Sequence, residues 1–132
     1  ASTSLLHIIQ TLIISFHMPE IYAVTLMDRI DNLIAAGELN YHQTGASVEI
    51  FKIEKRPGKK YMKLVCQCYN KQTREKTHGS VWCFIDTKTG AVYKPASFKA
   101  PAKHIRYQLM DDASYQQALQ RADWAGGWLY IR

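Results

Sequence analysis

Apolar and polar positions change rhythm several times along this chain, and each change marks an element. Leu5–Phe16 reads LLHIIQTLIISF, an almost unbroken apolar run. Pro19 and Glu20 follow it. They suit the first turn of a new helix, where proline's missing N–H is not needed and a carboxylate meets the positive end of the dipole. From Ile21 the apolar residues Val24, Met27, Ile30, Leu33 and Ile34 recur at spacings of three and four, which predicts an amphipathic helix. Asp28 and Asp31 fall on its outer side, and Gly37 is placed to close it as a C-cap.

The rhythm then shortens to two. Ser47–Ile53 sets Val48, Ile50 and Lys52 against Glu49, Phe51 and Ile53. Arg56-Pro57-Gly58-Lys59 is a turn, proline fixing φ and glycine accepting a positive one, and Tyr61–Tyr69 returns as the second limb of a hairpin. Polar residues 70–79 form a loop, and SVWCFID (Ser80–Asp86) reads as a central strand. Asp86–Gly90 is a compact turn with Ala91–Lys94 pairing back, so the middle of the chain is a four-stranded antiparallel meander. Two prolines keep Lys94–Pro101 out of regular helix. Ala102–Leu109 is expected as a short helix. Asp112–Asp123 is expected as a longer one, turning Ala113, Leu119 and Ala122 inward. Gly126-Gly127 interrupts it, and Trp128–Ile131 has strand propensity. The fold class is α+β: N-terminal helices packed on an antiparallel sheet of four to five strands, with a C-terminal helix and a last strand.

With 132 residues the chain suits one domain, and it buries about two-thirds of its unfolded surface without a covalent staple. Residues 1–18 read as an apolar N-terminal segment and 19–132 as a single α+β domain. The apolar run is too short to span a bilayer, which takes roughly 20 residues, and it lacks the basic start and small-residue end of a signal peptide. Burial in the protein, or a contact between copies, is the expectation for Leu5–Phe16, with no membrane role. The three cysteines, Cys66, Cys68 and Cys83, lack the spacing of a disulfide framework and suit a reducing interior.

Charge changes the picture more than composition does. Fourteen of the seventeen Lys and Arg residues lie between Lys52 and Arg106, with only Glu54, Glu75 and Asp86 to oppose them, a net charge of +11. The remainder carries three cations and eight acids, or −5. A field this lopsided fits a polyanionic partner. Between Tyr93 and Arg106 a cation recurs every three to five residues. A single-stranded nucleic-acid site needs cations that track phosphates and rings on which bases stack. Lys94, Lys99, Lys103 and Arg106 supply the first, and Tyr93 and Phe98 the second. Lys59 and Lys60, at the hairpin turn, extend the track. If Ala102–Leu109 is helical, Lys103 and Arg106 share a face. The plain alternative is a solvated loop whose rings plug the core.

Other chemistry is thinly represented. Cys66, Cys68, His78 and Cys83 have the right atoms for structural zinc and the wrong spacing, so neither metal nor other cofactor is expected. The five histidines are scattered, and there is no G-x-S-x-G, P-loop or H-E-x-x-H motif. His104, beside Lys103 and Arg106, is the one group placed for phosphodiester chemistry, and no catalytic residue is assigned.

The segment Ser80–Leu109 carries a recognisable pattern. It comprises an aromatic strand (Trp82 to Phe84), the turn Asp86 to Gly90, V-Y-K-P-A-S-F (Val92 to Phe98) and K-A-P-A-K-H-I-R (Lys99 to Arg106). It resembles a segment of short uncharacterised proteins from bacteriophages and small viruses of environmental genomes. The resemblance implies a viral or phage origin, hence host cytoplasm or virion, and no activity. Three functions are expected in order. The first is a small non-enzymatic binder of single-stranded DNA or RNA in replication or packaging. The second is an oligomeric virion or assembly protein joined through Leu5–Phe16. The third is a small phosphodiester-processing enzyme.

Overall fold

The computed structural model describes residues 2–45, 49–76 and 79–131, with side chains described from Ile21 onward. The side chains of Leu5–Phe16, the start of the first expected strand at Ser47 and Val48, and the suggested zinc ligand His78 lie outside the described residues. One long helix, α1 (Ser2–His42), is followed by β1 (Glu49–Pro57), β2 (Tyr61–Asn70), β3 (Ser80–Asp86), β4 (Ala91–Tyr93), β5 (Tyr107–Gln108), helix α2 (Asp112–Arg121) and a 3₁₀ turn at Gly127–Leu129. The five strands form one antiparallel sheet in chain order. The architecture is therefore the expected α+β, an N-terminal helix on a five-stranded sheet with a C-terminal helix.

Helix α1 lays one stripe on the sheet. Leu26, Ile30, Leu33, Ile34 and Tyr41 are buried there against Phe51 and Ile53 of β1 and Leu64 of β2. Burying each such aliphatic side chain stabilises the fold by about 1.5–3 kcal/mol. The expected break into two helices does not occur, because α1 continues through Pro19 and past Gly37. Gly37 is not a C-cap. It is buried in the same stripe, where a Cβ would stand 2.7 Å from the Trp82 ring and 2.8 Å from Ile53. Only a residue without a side chain lets helix and sheet approach this closely. The helix ends at His42 instead, and Gly45 (φ 80°) closes the turn after it, donating to the His42 carbonyl.

Helix α2 is capped by Asp111, whose carboxylate accepts from the Ser114 N–H at 2.9 Å. Tyr115, Ala118 and Ala122 face inward, whereas Ala113, expected to do so, is exposed. Arg29 ties α1 to this end of the chain, donating to the Leu109 carbonyl (2.6 Å) and to Asp112 (2.7 Å).

Residues 102–109, expected as a helix, instead run beside β4. The Arg106 N–H donates to the Val92 carbonyl at 2.7 Å, and Tyr107 and Leu109 alternate into the core. His104 stands at φ 73°, a left-handed conformation that no helix contains. The expected last strand at 128–131 is absent as well, and Gly127–Leu129 is a 3₁₀ turn. The Leu129 N–H donates to the Gly126 carbonyl and the Tyr130 N–H to the Gly127 carbonyl, local bonds in place of a ladder.

Strand β3 carries a bulge. Cys83 pairs with Leu64 and Val81 with Val65, leaving Trp82 as an extra residue between them. Trp82 and Cys83 both point into the core. The Trp82 indole donates to the Asp123 carbonyl at 2.9 Å and packs 4.9 Å from the ring of Trp128.

Candidate nucleic-acid interface

The helices cover one face of the sheet, and alternation along the strands decides what the other face presents. In β2, Met62, Leu64 and Cys66 join the helix-side core, so Tyr61, Lys63 and Val65 project the other way. Register then assembles a row across four strands: Arg56 pairs with Lys63, Lys63 with Phe84, and Phe84 with Tyr93. Tyr61 meets Phe84 and Tyr93 edge-on, with centroids 6.0 and 5.8 Å away. The far side of the sheet is thus a cluster of three rings bordered by cations.

The loop after β4 reaches this face. A bridge between Pro95 and Pro101 forms its neck, and the Ala102 N–H donates to the Lys94 carbonyl at 2.7 Å. At its tip the Ser97 hydroxyl accepts from the N–H groups of Lys99 and Ala100, both at 3.2 Å. The tip presents Phe98 and Lys99. The Lys63 ammonium lies 4.1 Å from the Phe98 ring centroid and 5.9 Å from that of Phe84, held between two aromatic faces.

Between this loop and the hairpin tip lies a hollow of about 330 Å³. Arg56, Lys59, Lys60, Lys63 and Lys99 line it together with Tyr61 and Phe84, and among the described residues no acid does. The two nearby acids have partners of their own. Asp86 accepts from the Lys88 and Thr89 N–H groups, and Glu54 accepts from the Tyr69 hydroxyl and lies 3.7 Å from Arg56. That hydrogen bond from Tyr69 raises the phenol above its ordinary value, by favouring its protonated form. Lys55, one residue from the row, points to the helix side and pairs with Asp31 at 2.6 Å.

Of the residues expected to bind, the structure brings Lys59, Lys60 and Lys99 to one hollow, with Phe98 at its border and Tyr93 in the ring cluster. Lys94 stands apart, its ammonium 4.6 Å over the Tyr130 ring. Lys103 is exposed on the return limb of the loop, and without a helix it shares no face with Arg106. Arg106 donates to the Ile131 carbonyl at 2.8 Å, fastening the C-terminal segment, and its Nε is buried without a protein partner. Of the three basic loops two converge. The third, around Lys71 and Arg74, leaves the opposite end of the ten-residue β2 from the hairpin tip. Tyr61, Lys63 and Phe84 were not singled out as binding residues, although the two-residue alternation of Tyr61–Leu64 carries the signal for the first two.

The cysteines face the other way. Burial pushes the Cys66 thiol up to about 12, with Cys68 adding to it, and burial also raises Cys83 well above the ordinary thiol value. Thiols held so firmly protonated are poor ligands and nucleophiles. Among the described residues no cluster of three or more His, Cys, Asp or Glu is arranged to hold a metal ion, and no helix is long and apolar enough to cross a membrane.

No curated protein and no solved structure matches this chain. One family model does, over residues 16–131. That range contains the entire sheet, both walls of the basic hollow and the Ser80–Leu109 segment, and the chain accordingly belongs to the family of unknown function DUF7717.

Proposed function

We propose that this protein binds single-stranded nucleic acid on the sheet face away from the helices, in the replication or packaging of a viral or phage genome. The observation that carries the reading is the hollow lined by five cations, of which Arg56 alone has an acid near it in the described residues, Glu54 at 3.7 Å. Cations gathered in this way neutralise phosphates and release counterions, which drives binding at low salt. The adjoining rings favour single strands over duplex. Phe98 is 47% exposed and Tyr61 half-buried, and a ring is useful to a base only when that base is unstacked from its neighbours. Lys59, Lys60, Lys63 and Lys99 hold phosphates in this reading, and Phe98 and Tyr61 offer stacking surface. Lys94 and Lys103 lie further along. Arg106 serves mainly to fasten the chain end. The Ser80–Leu109 resemblance supports the viral or phage setting, and with it host cytoplasm or virion.

The test is fluorescence anisotropy of labelled single-stranded DNA, RNA and duplex DNA at several salt concentrations. Expected is binding that weakens steeply with salt and is tighter for single strands. Changing Lys59, Lys60 and Lys99 together to Ala should weaken every sequence alike and flatten the log K–log salt slope by about two. Unchanged affinity in that variant sinks the site.

A second reading, an oligomeric virion or assembly protein, draws on Ile21 and Val24, exposed one turn apart on α1 just beyond the apolar Leu5–Phe16 run. Sizing of the chain with and without residues 1–17 tests it: loss of a defined oligomer on truncation supports assembly, and an unchanged monomer removes it.

A further inference from the structure

The basic hollow does not stand alone. Lys63 and Lys99 of that hollow adjoin Phe98, one over its ring and one next in the chain, and Phe98 lines a second hollow of about 380 Å³ under the loop. That hollow shares Ser80, Val81 and Pro95 with a third, of about 260 Å³, beneath Lys94 and Tyr130. The third shares Ser80 and Ala125 with a fourth, of about 240 Å³, beside Trp124, where Phe51, Cys66 and Cys68 place it round the Ser80 end of the sheet on the helix side. Among the described residues no acid lines any of the four. Three rings stand out along this course: Phe98 at 47% exposure, Tyr130 at 74% and Trp124 at 40%. Each is held from one side. Lys63 lies over Phe98, Lys94 over Tyr130, and Tyr41 meets Trp124 edge-on at 5.3 Å.

We infer that these hollows form one continuous track for an extended single strand, with phosphates gripped at the hairpin end and bases stacked on Tyr130 and Trp124 at the far end. The inference rests on the proposed nucleic-acid reading and adds to it a second, ring-bearing end at the C-terminal segment. Charge and rings divide along the track. Five cations serve its first hollow, whereas among the described residues Lys94 is the single cation lining the other three. Affinity for a short strand should therefore come from the hairpin end, and added length should gain through stacking, worth about 1–3 kcal/mol per base, or roughly 5- to 150-fold. A duplex is excluded from the whole course, because the track passes round the Ser80 end of the sheet from one face to the other and duplex DNA is stiff over about 150 base pairs.

The protein carries its own reporter of the far end. Trp82 and Trp128 are 2% and 4% exposed, so quenching by a stacked base falls on Trp124. The experiment titrates the full chain with oligothymidylates of about four and about twelve nucleotides, lengths that bracket common single-strand site sizes. Anisotropy and tryptophan emission are read together. Expected is at least tenfold tighter binding of the longer strand, with quenching only by it. Tyr130→Ala should remove most of the length gain and leave the short strand's affinity within about twofold. Trp124→Phe should abolish the quenching. Matching melting curves certify the folding of both variants, and Tyr130 is exposed enough to be truncated safely. Tight, salt-sensitive binding with no length gain and no quenching overturns the track while leaving the basic hollow standing. If neither strand binds at low salt, the nucleic-acid reading falls and the track falls with it.

Discussion

One sheet presents two faces built on opposite principles. The helix side is closed by Leu26, Ile30, Leu33 and Ile34 of α1 against Phe51, Ile53 and Leu64, and its one close approach admits no side chain at all. The loop side is closed only partly, by Phe98 lying over a lysine, and leaves a hollow ringed with charge. Packing density punishes any change of volume on the first face. On the second, exposed cations contribute little to stability, so their concentration there calls for another explanation. Substitutions should separate the faces cleanly, one moving stability and the other affinity.

The largest separation is expected from Leu33→Ala, which empties a fully buried site and should cost about 2–5 kcal/mol in denaturant unfolding. Lys59→Ala, at an exposed hairpin tip, should stay within about 0.5 kcal/mol. Comparable losses in the two variants would break the contrast. Gly37→Ala sharpens it. Alanine is the better helix former by about 1 kcal/mol, yet its methyl would press on Trp82 and Ile53. Overpacking costs about 1–3 kcal/mol, so a lowered melting temperature is predicted, and a raised one would mean the helix yields there.

Alkaline pH should attack the helix side. Cys66, with an ordinary thiol value of 9.0 when unfolded, is held up to about 12 in the fold, and Cys83 is raised as well. Between those values the unfolded chain releases protons that the folded chain keeps. The stabilisation is thus complete below pH 9 and lost as pH climbs towards 12. Unfolding monitored from pH 8 to 11 should show falling stability, with a shallower fall in Cys66→Ala. The smallest effect expected is that of Lys55→Ala. It removes a partly exposed ion pair with Asp31 and should cost less than about 1 kcal/mol, less still in high salt.

What was legible in the sequence follows the same division. Ser80–Asp86 was delimited to the residue, because an apolar run between a polar loop and an Asp–Gly turn admits few alternatives. Gly37 misled, since a glycine needed for close packing and a glycine needed for a left-handed cap look alike until the facing Trp82 ring is known. The segment 102–109 misled too. Local composition allowed a helix, and only pairing with β4, a non-local contact, made Tyr107–Gln108 a strand and held the rest beside it. For the candidate site, the excess of charge could be counted from the sequence but its convergence could not. Lys63 and Phe84 become neighbours through register, and Arg106 turns from phosphate ligand to fastener through one bond to Ile131.

The bulge at Trp82 has a consequence for how this surface is lost. Cys83 and Val81 keep step with Leu64 and Val65 whether or not a residue stands between them, so Trp82 is supernumerary to the ladder. It acts as a rivet, its indole driven through to the Asp123 carbonyl and the ring of Trp128. Drawing the rivet by deletion would leave the strands in register and the hairpin end of the surface in place. The segment bearing Trp124 and Tyr130 would lose one tie to the sheet and keep those from Arg106 to Ile131 and from Tyr107 to Trp128. One residue outside the pattern of the sheet therefore tightens the hold between the two ends of that surface.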